Sequence, residues 1–508
     1  MKHLILLFAL SSIFEISHET LGNTFYKIRQ LVEHERELKY KNQGFNEVQG
    51  FAFNQRLDHF EVRTGNLRVF SQRYWRNAAY WRKPDGPVFL YIGGEGALSG
   101  AEISGGHIVD MAKKYGALLF AVEHRFYGRS IFAECFKDKN MGLLSSQQAL
   151  ADLSIFIKYA SNKFGLTNKN KWISYGGSYP GSLSAWFRIK YPHLVIGAVA
   201  SSAPVQATVN FEAYNDVVAA SLNSKLVGGS EQCVDKVKSA FKQIEEYITE
   251  KNFSQLQEDF NSCNDISNTN DSWMFAVNLA SFVMGIVQYN RQTPGLDIST
   301  LCKYVTNSSG TPYLNFASLY TGYMKRFQRC NEFSYHNFIL QLKNIDIDPS
   351  GLPMIRQWYF QTCTQFGYFQ TCDPKTKCVF SKRVNLLSDL DICQEVFGVK
   401  PKSVQERVNF TNQYYGSNKP RGSKIIFING SIDPWHALSV LKNLTSSEIS
   451  IFIPGTSHCE NMASDDFDDP PALKEARQVG RLSYQSQKQK IYRKSDTRQD
   501  GRVHAIYL

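Results

Sequence analysis

The stretch that decides the fold spans residues 172–181 and reads Trp172-Ile173-Ser174-Tyr175-Gly176-Gly177-Ser178-Tyr179-Pro180-Gly181. Its first four residues predict a strand, and a helical stripe of Leu183, Trp186 and Phe187 follows. A serine between a buried strand and a helix sits on a strained turn that exposes its hydroxyl, and such a turn needs small neighbours. The pattern therefore predicts Ser178 as a nucleophile.

The same residues also fit a glycine-rich turn with an incidental serine, because Pro180 stands where the usual Gly-x-Ser-x-Gly pattern has its second glycine. The order of later residues favours the nucleophile. Asp433 and His458 each follow a short apolar run that predicts a strand, and Ser, Asp, His is the chain order of α/β-hydrolases. We therefore predict Ser178 as nucleophile, His458 as general base and Asp433 as the carboxylate that orients it.

Two backbone N–H groups are predicted to stabilise the oxyanion of the transition state. One belongs to Tyr179, and the other to the Gly93–Gly96 loop that follows an earlier predicted strand, with Gly94 as the candidate. His124 also follows a predicted strand, but it precedes the serine in the chain. We interpret His124 as a buried structural histidine.

Strand and helix patterns divide the chain. Apolar strands alternate with helices over 85–205 and again from residue 424, which predicts a parallel sheet covered on both faces. The middle is helical in pattern and holds eight of the ten cysteines. The predicted class is α/β, an α/β-hydrolase fold with a large inserted helical, disulfide-stapled cap. The predicted divisions are a signal peptide at 1–20, core segments at 21–205 and 416–485, the cap at 206–415, and a basic mobile tail at 486–508.

Several features predict passage through the secretory pathway. Lys2 and His3 precede the apolar run Leu4–Leu10, which is too short to span a membrane and is typical of a signal peptide. The ten cysteines include no Cys-x-x-Cys pair, so disulfides are favoured over a zinc site. Six Asn-x-Ser/Thr sequons occur, the sixth being Asn429. The five predicted glycosylation sites are Asn252, Asn270, Asn307, Asn409 and Asn443.

The charge distribution and hydropathy of the sequence indicate which classes of partner to expect. The 508 residues contain 57 Lys+Arg and 46 Asp+Glu, a net charge of +11. Residues 474–508 hold nine basic and three acidic residues, so more than half of the excess lies at the end of the chain. This pattern is typical of a solvated tail, and no nucleic-acid-binding motif accompanies it. We expect no binding of nucleic acid, no stable insertion into a membrane, no cofactor and no metal. Whether the protein forms a homodimer is left open.

Five motifs together carry a family resemblance: Phe53-Asn54-Gln55-Arg56-Leu57-Asp58-His59-Phe60, Glu123-His124-Arg125-Phe126-Tyr127-Gly128, Gly176-Gly177-Ser178-Tyr179, Ser201-Ser202-Ala203-Pro204 and Asn429-Gly430-Ser431-Ile432-Asp433-Pro434-Trp435. Up to about Leu482 the chain resembles the prolyl carboxypeptidase / dipeptidyl-peptidase II family of serine peptidases, and within it the thymus-specific serine protease branch. The resemblance implies the same triad, a cap that restricts access to short peptides, a secreted or endosomal/lysosomal location, and cleavage of the Pro–X bond.

The resemblance also implies a pocket and disulfides. Proline-selective members carry a methionine at the position of Ser182, whereas Trp435 is retained; these two residues are the candidates for the substrate pocket. A hydroxyl in place of an apolar wall weakens selective burial of a proline ring, so proline preference is in doubt while hydrolysis is not. The implied pairs are Cys233–Cys302, Cys263–Cys330, Cys363–Cys393 and Cys372–Cys378. A bridge between the remaining Cys135 and Cys459 would pin the loop that carries His458.

The sequence thus predicts a secretory-pathway serine exopeptidase that hydrolyses short peptides, as a carboxypeptidase or a dipeptidyl-peptidase. Two alternatives stay open, an esterase or lipase with the same fold and a non-catalytic glycoprotein that binds peptides. The large cap disfavours the first, and the presence of all three triad residues disfavours the second.

Overall fold

The computed structural model describes residues 24–41, 47–62, 68–347 and 355–478. The predicted signal peptide and basic tail lie outside these residues. The strands of the described part are β1 Val48–Arg56, β2 Val69–Asn77, β3 Val88–Ile92, β4 Leu118–Val122, β5 Trp172–Gly177, β6 Gly197–Ser201, β7 Thr208–Asn210, β8 Gly367–Phe369, β9 Ile425–Gly430 and β10 Glu448–Ile453.

Helices surround the strands. They are α1 Thr24–Lys41, α2 His107–Tyr115, α3 Asp138–Met141, α4 Ser146–Phe164, α5 Tyr179–Lys190, α6 Glu212–Leu222, α7 Glu231–Thr249, α8 Phe253–Asp259, α9 Thr269–Gln288, α10 Ile298–Val305, α11 Pro312–Met324, α12 Tyr335–Lys343, α13 Ile355–Gln361, α14 Leu386–Phe397, α15 Pro401–Tyr415 and α16 at 471–478. A π-helical turn, Thr362–Phe366, follows α13.

Eight strands form one sheet in the order β1-β2-β4-β3-β5-β6-β9-β10. The β1–β2 and β2–β4 pairs are antiparallel, and every later neighbouring pair is parallel. This arrangement confirms the α/β-hydrolase class. Because the parallel strands run the same way, the turns after β3, β5, β6, β9 and β10 meet at one edge of the sheet.

Both faces of the parallel strands are buried, as their continuous apolar sequences predict. Leu90 and Phe120 pack on the face that α4 and α5 cover. Their neighbours Phe89 and Leu119 point the other way and pack with residues of α2. Alternation along each strand therefore fills two separate cores, and the sheet between them is a rigid base for its edge turns.

The chain between β6 and β9 forms the predicted cap, a mainly helical insertion that contains α6–α15 and the short strands β7 and β8. Four disulfides staple it, Cys233–Cys302, Cys263–Cys330, Cys363–Cys393 and Cys372–Cys378. The bridge considered between Cys135 and Cys459 does not form, since both cysteines are free. Cys135 is enclosed by apolar side chains around Phe126 and Phe136, away from the loop that holds Cys459.

A buried ionic network ties β1, β4 and α4 together. The Arg125 guanidinium donates from Nε and Nη2 to the two carboxylate oxygens of Asp152, each at 2.6 Å. It also donates to the Leu57 carbonyl at 3.0 Å, and His59 Nε2 lies 2.7 Å from Asp152 Oδ1. Burial alone would raise the pKa of Asp152, but the charges and hydrogen bonds of Arg125 and His59 outweigh it and hold that pKa below its ordinary value.

Removal of the Asp152 charge should destabilise the fold. We expect Asp152→Asn to lower the free energy of unfolding at pH 7 by about 3–5 kcal/mol, because it leaves the Arg125 charge buried and unpaired. The lowered pKa means that the ionised carboxylate stabilises the native state above its unfolded pKa. The difference from wild type should therefore shrink as the pH falls below about 4.

Urea unfolding followed by tryptophan fluorescence at pH 7 and pH 3 measures this difference. The matched control is Asp85→Asn, since Asp85 forms an exposed pair with Lys169 at 3.5 Å and should contribute about 1 kcal/mol or less. Equal losses for the two variants would contradict the assigned role of the buried network.

Candidate functional site

Ser178 lies on a strained turn between β5 and α5. Its φ is 64° and its ψ is −133°, a backbone conformation that side chains disfavour. The Ser178 N–H donates to the Ser201 carbonyl at 2.9 Å. A Cβ at residue 176 would overlap the Pro180 backbone, and one at residue 177 would lie 2.8 Å from Cys459 Sγ. Close approach to backbone therefore requires the glycine at 176, whereas Gly177 lies against the side-chain sulfurs of Met462 and Cys459.

The Gly93–Gly96 loop lies directly against the first turn of α5. A Cβ on Gly94 would overlap the Pro180 ring, so this glycine lets the loop approach the turn that carries Ser178. The loop continues to Leu98, whose N–H donates to the buried carboxylate of Glu123 at 3.0 Å. Burial raises the pKa of Glu123. The packing brings Gly94 and Tyr179, the two predicted oxyanion donors, to the same edge of the sheet.

Asp433 and His458 meet at the ends of β9 and β10. The His458 Nδ1 atom lies 2.9 Å from Asp433 Oδ1, and both side chains are buried. A carboxylate can only accept, so Nδ1 carries the proton and Nε2 is left free to accept one. The backbone N–H of Trp435 donates to the same carboxylate oxygen at 3.0 Å and fixes the orientation of the Asp433 carboxylate.

The pKa of His458 is raised above its ordinary value. Burial lowers it, but the negative charge of Asp433, the Asp433 hydrogen bond and the adjoining Cys459 sulfur together outweigh burial. The arrangement therefore stabilises an imidazolium, which is the state that a general base reaches after it takes a proton.

Ser178 and His458 open into one cavity of about 1530 Å³, which Tyr179, Gly94 and Trp435 also line. Ser182 does not line it. Its side chain is completely buried one turn further along α5, and its Oγ has no hydrogen-bond partner among the residues that the structure describes. Residue 182 points into the packed core on this backbone, which corrects the expectation that it belongs to the substrate pocket.

The cap supplies contacts to the His458 loop that the sequence did not predict. Gln288, at the end of α9, accepts two hydrogen bonds. Its backbone carbonyl accepts from the His458 N–H at 2.9 Å, and its side-chain oxygen Oε1 accepts from Trp435 Nε1 at 2.8 Å. Gln292 Nε2 donates to the His458 carbonyl at 2.7 Å. Nothing in the local pattern distinguishes these glutamines from surface residues, because their partners lie more than 140 residues away.

His124 is structural, as interpreted from its place in the chain. It is buried, and its Nε2 lies 3.0 Å from the Tyr179 hydroxyl. Burial lowers the pKa of His124 to about 4, so the ring is neutral at physiological pH. Gln361 Nε2 of the cap donates to the same hydroxyl at 3.1 Å. Tyr179 is thereby held from both sides, which steadies the residue whose N–H is an oxyanion candidate.

The described residues contain neither a cluster that could hold a metal ion nor a helix that could span a membrane. Within them, His, Cys, Asp and Glu side chains nowhere group in threes in a way that could hold a metal ion. Of the helices described, none is both long and apolar enough to cross a membrane.

Gly94 offers a test of the oxyanion loop. We expect Gly94→Ala to lower kcat by about 100-fold, because the added methyl group overlaps Pro180 and displaces one N–H donor. Steady-state turnover of a cleavable short peptide or ester measures the effect. Gly142→Ala is the control, since a Cβ there meets no atom within 4 Å. A Gly94→Ala protein with wild-type kcat would show that this loop does not serve the transition state.

Comparison with known proteins agrees with this geometry. The family model described as Serine carboxypeptidase S28 matches residues 55–479. The human thymus-specific serine protease is 40% identical over 433 residues, covering 84% of each chain. The lysosomal Pro-X carboxypeptidase of Pongo abelii is 29% identical over 447 residues, covering 84% of this chain and 86% of that protein. Family match and identity together show that the chain belongs to the serine carboxypeptidase S28 family, whose members are serine peptidases.

Proposed function

We propose that the protein is a secretory-pathway serine exopeptidase that hydrolyses short peptides through a Ser-Asp-His acyl-enzyme mechanism. The observation that carries the proposal is the 2.9 Å contact between His458 Nδ1 and Asp433, in a cavity shared with Ser178 on its strained turn. Membership of a serine peptidase family supports the choice of peptides as substrates.

The mechanism follows from the chemistry of these groups. Ser178 Oγ attacks the carbonyl carbon of the scissile bond, and His458 Nε2 takes the hydroxyl proton. The carbonyl oxygen becomes an oxyanion, which the N–H groups of Tyr179 and Gly94 stabilise. His458 then gives the proton to the departing amine, leaving an acyl-enzyme on Ser178. Water, activated in turn by His458, releases the acyl group as a carboxylic acid.

Aromatic side chains shape the part of the cavity next to the candidate base. Trp435 lines it together with Tyr368, and the two rings meet edge to face with centroids 5.3 Å apart. Such a wall accommodates a flat apolar ring, so proline fits beside the scissile bond. We propose that proline is accepted in this part of the cavity, next to Trp435 and Tyr368.

The disulfides and the surface asparagines of the chain support the proposed compartment. Four disulfides are typical of an oxidising environment, which supports a secreted or endosomal/lysosomal location. The five sequon asparagines proposed as glycosylation sites are all exposed. Asn429, by contrast, is buried on β9 and donates to the Val440 carbonyl at 3.2 Å, so it is excluded as an acceptor.

The nucleophile can be tested directly. We expect Ser178→Ala to abolish labelling by a fluorophosphonate and to lower turnover of a mixed short-peptide pool by at least about 1000-fold, because no acyl-enzyme can form. Ser182→Ala should keep both activities, since its unpaired hydroxyl lies outside the cavity. Mass spectrometry of the products measures turnover and bond preference together.

Three results would count against the proposal. Retained turnover in Ser178→Ala would remove the serine from the mechanism. Rapid hydrolysis of esters with no hydrolysis of any peptide would favour the esterase alternative. A native protein that is neither labelled nor active on either substrate would favour a binding protein.

Glycosylation makes a separate prediction. We expect protein secreted from eukaryotic cells to carry N-glycans at Asn252, Asn270, Asn307, Asn409 or Asn443 and none at Asn429, because a bulky glycan on Asn429 would not fit the packed interior of the folded protein. Peptide mapping after enzymatic deglycosylation in heavy-oxygen water marks each occupied asparagine. A mark at Asn429 would contradict its buried position.

A further inference from the structure

The cavity that contains Ser178 is acidic, although the whole chain is basic. Seven carboxylate side chains and four arginines line it, whereas the 508 residues together carry a net charge of +11. Three of the four arginines already have carboxylate partners: Arg29 with Glu95 at 3.3 Å, Arg36 with Glu102 at 3.1 Å and Arg356 with Asp138 at 3.0 Å. An excess of negative charge in a partly enclosed cavity attracts the cationic end of a ligand.

Three of these carboxylates, Glu35, Asp346 and Asp389, have no salt bridge among the described residues, and Asp389 is the least exposed of the three. It lies in the first turn of α14, is half-buried, and lines the cavity. Within the described residues, no donor or cation bonds to its carboxylate. Burial raises the pKa of Asp389 to about 7, because no positive charge compensates for the lost water. A cation brought by a ligand would supply that compensation.

The helix α13 connects Asp389 to the candidate nucleophile. Tyr359 packs in one apolar cluster with Ile392 and Val396 of α14, the helix whose first turn holds Asp389. The preceding residue, Trp358, packs on the ring of Tyr179 with centroids 6.0 Å apart. Trp358 and Tyr359 both line the cavity. Trp358 therefore contacts the residue after Ser178, and its neighbour Tyr359 contacts the helix that carries Asp389.

We propose that Asp389 binds the α-ammonium group of the peptide substrate, so that the enzyme removes a short fragment from the amino end. This inference rests on the proposed function, since it needs Ser178 as nucleophile. The acyl group on Ser178 is then the amino-terminal fragment, and the rest of the peptide leaves as the amine. The ammonium is cationic at acid and neutral pH, whereas an acetylated amino end carries no charge and lacks this contact.

Arg326 is the rival group, since it would favour the carboxyl end of a peptide. It lines the same cavity, and its guanidinium lies 5.0 Å from the ring centre of Tyr323. It is exposed, so solvent and salt screen its attraction for a carboxylate. Asp389 is less exposed, and its pairing with an opposite charge is screened less.

Short peptides of one sequence in three forms test the inference: unmodified, N-acetylated and C-amidated. With the wild-type protein we expect acetylation to lower kcat/KM by about tenfold or more, the loss typical of a charge-assisted hydrogen bond. Amidation should change it by less than about twofold. Asp389→Asn should raise KM for the unmodified peptide by a similar factor, leave kcat within about twofold, and leave the acetylated peptide unaffected. Arg326→Gln, the matched charge control, should not alter the preference.

The outcomes separate this inference from the function on which it rests. Failure of the wild-type protein to cleave any of the three forms would overturn the proposed function. Cleavage of all forms at equal rates, or an equal loss on the free and acetylated peptides in Asp389→Asn, would overturn the role of Asp389 alone. Sensitivity to amidation that disappears in Arg326→Gln would assign the carboxyl end instead. The mass of the released fragment gives its number of residues. At about 3.3 Å of extended chain per residue, that number corresponds to the distance that the fragment spans between Asp389 and Ser178.

Discussion

The turn at Ser178 contains or adjoins three glycines, and a Cβ on any of them would come too close to a neighbouring atom. Gly176 rests on the Pro180 backbone, Gly177 on the Cys459 sulfur, and Gly94 on the Pro180 ring. Each approach sets one part of the site: the exposure of the serine, its position relative to the histidine loop, and the place of the oxyanion loop. The cost of a positive φ at Ser178 is offset by the surrounding packing, since the turn lies on a sheet buried on both faces.

The cap does more than enclose the cavity. Gln288 and Gln292 hold the backbone of His458 from the cap side, while Gln361 holds the Tyr179 hydroxyl. The cap therefore lines the cavity and also contacts the loops that carry the candidate catalytic residues.

The charge around the cavity matters more for ligand binding than the net charge of the whole chain. The positive excess is concentrated near the end of the sequence, whereas the cavity is lined by more carboxylates than arginines. The buried pair of Arg125 and Asp152 shows the other use of charge, since it joins motifs that are far apart in the chain and faces no substrate. Sign and position within the fold, rather than total charge, determine which groups can bind a ligand.

Sequence alone determined the alternation of strands and helices in the core and the insertion between them, and it singled out Ser178, Asp433 and His458 as the candidate triad. These inferences use local periodicity and the order of short motifs, which a chain carries whatever its tertiary packing. The β1–β2 hairpin was not predicted, because its strands are largely polar and exposed along one side. Helix α1, which lines the cavity, was also not predicted.

Only the tertiary structure decided which side chains face the cavity. Ser182 lies four residues after Ser178 but points into the core, whereas Asp389 lies 211 residues away and lines the same space as Ser178. Cys135 and Cys459 were left over together by counting, yet they lie in different environments and stay free. The physical reason is that the direction of a side chain depends on which elements pack around it, and those contacts join residues whose separation in the sequence carries no signal.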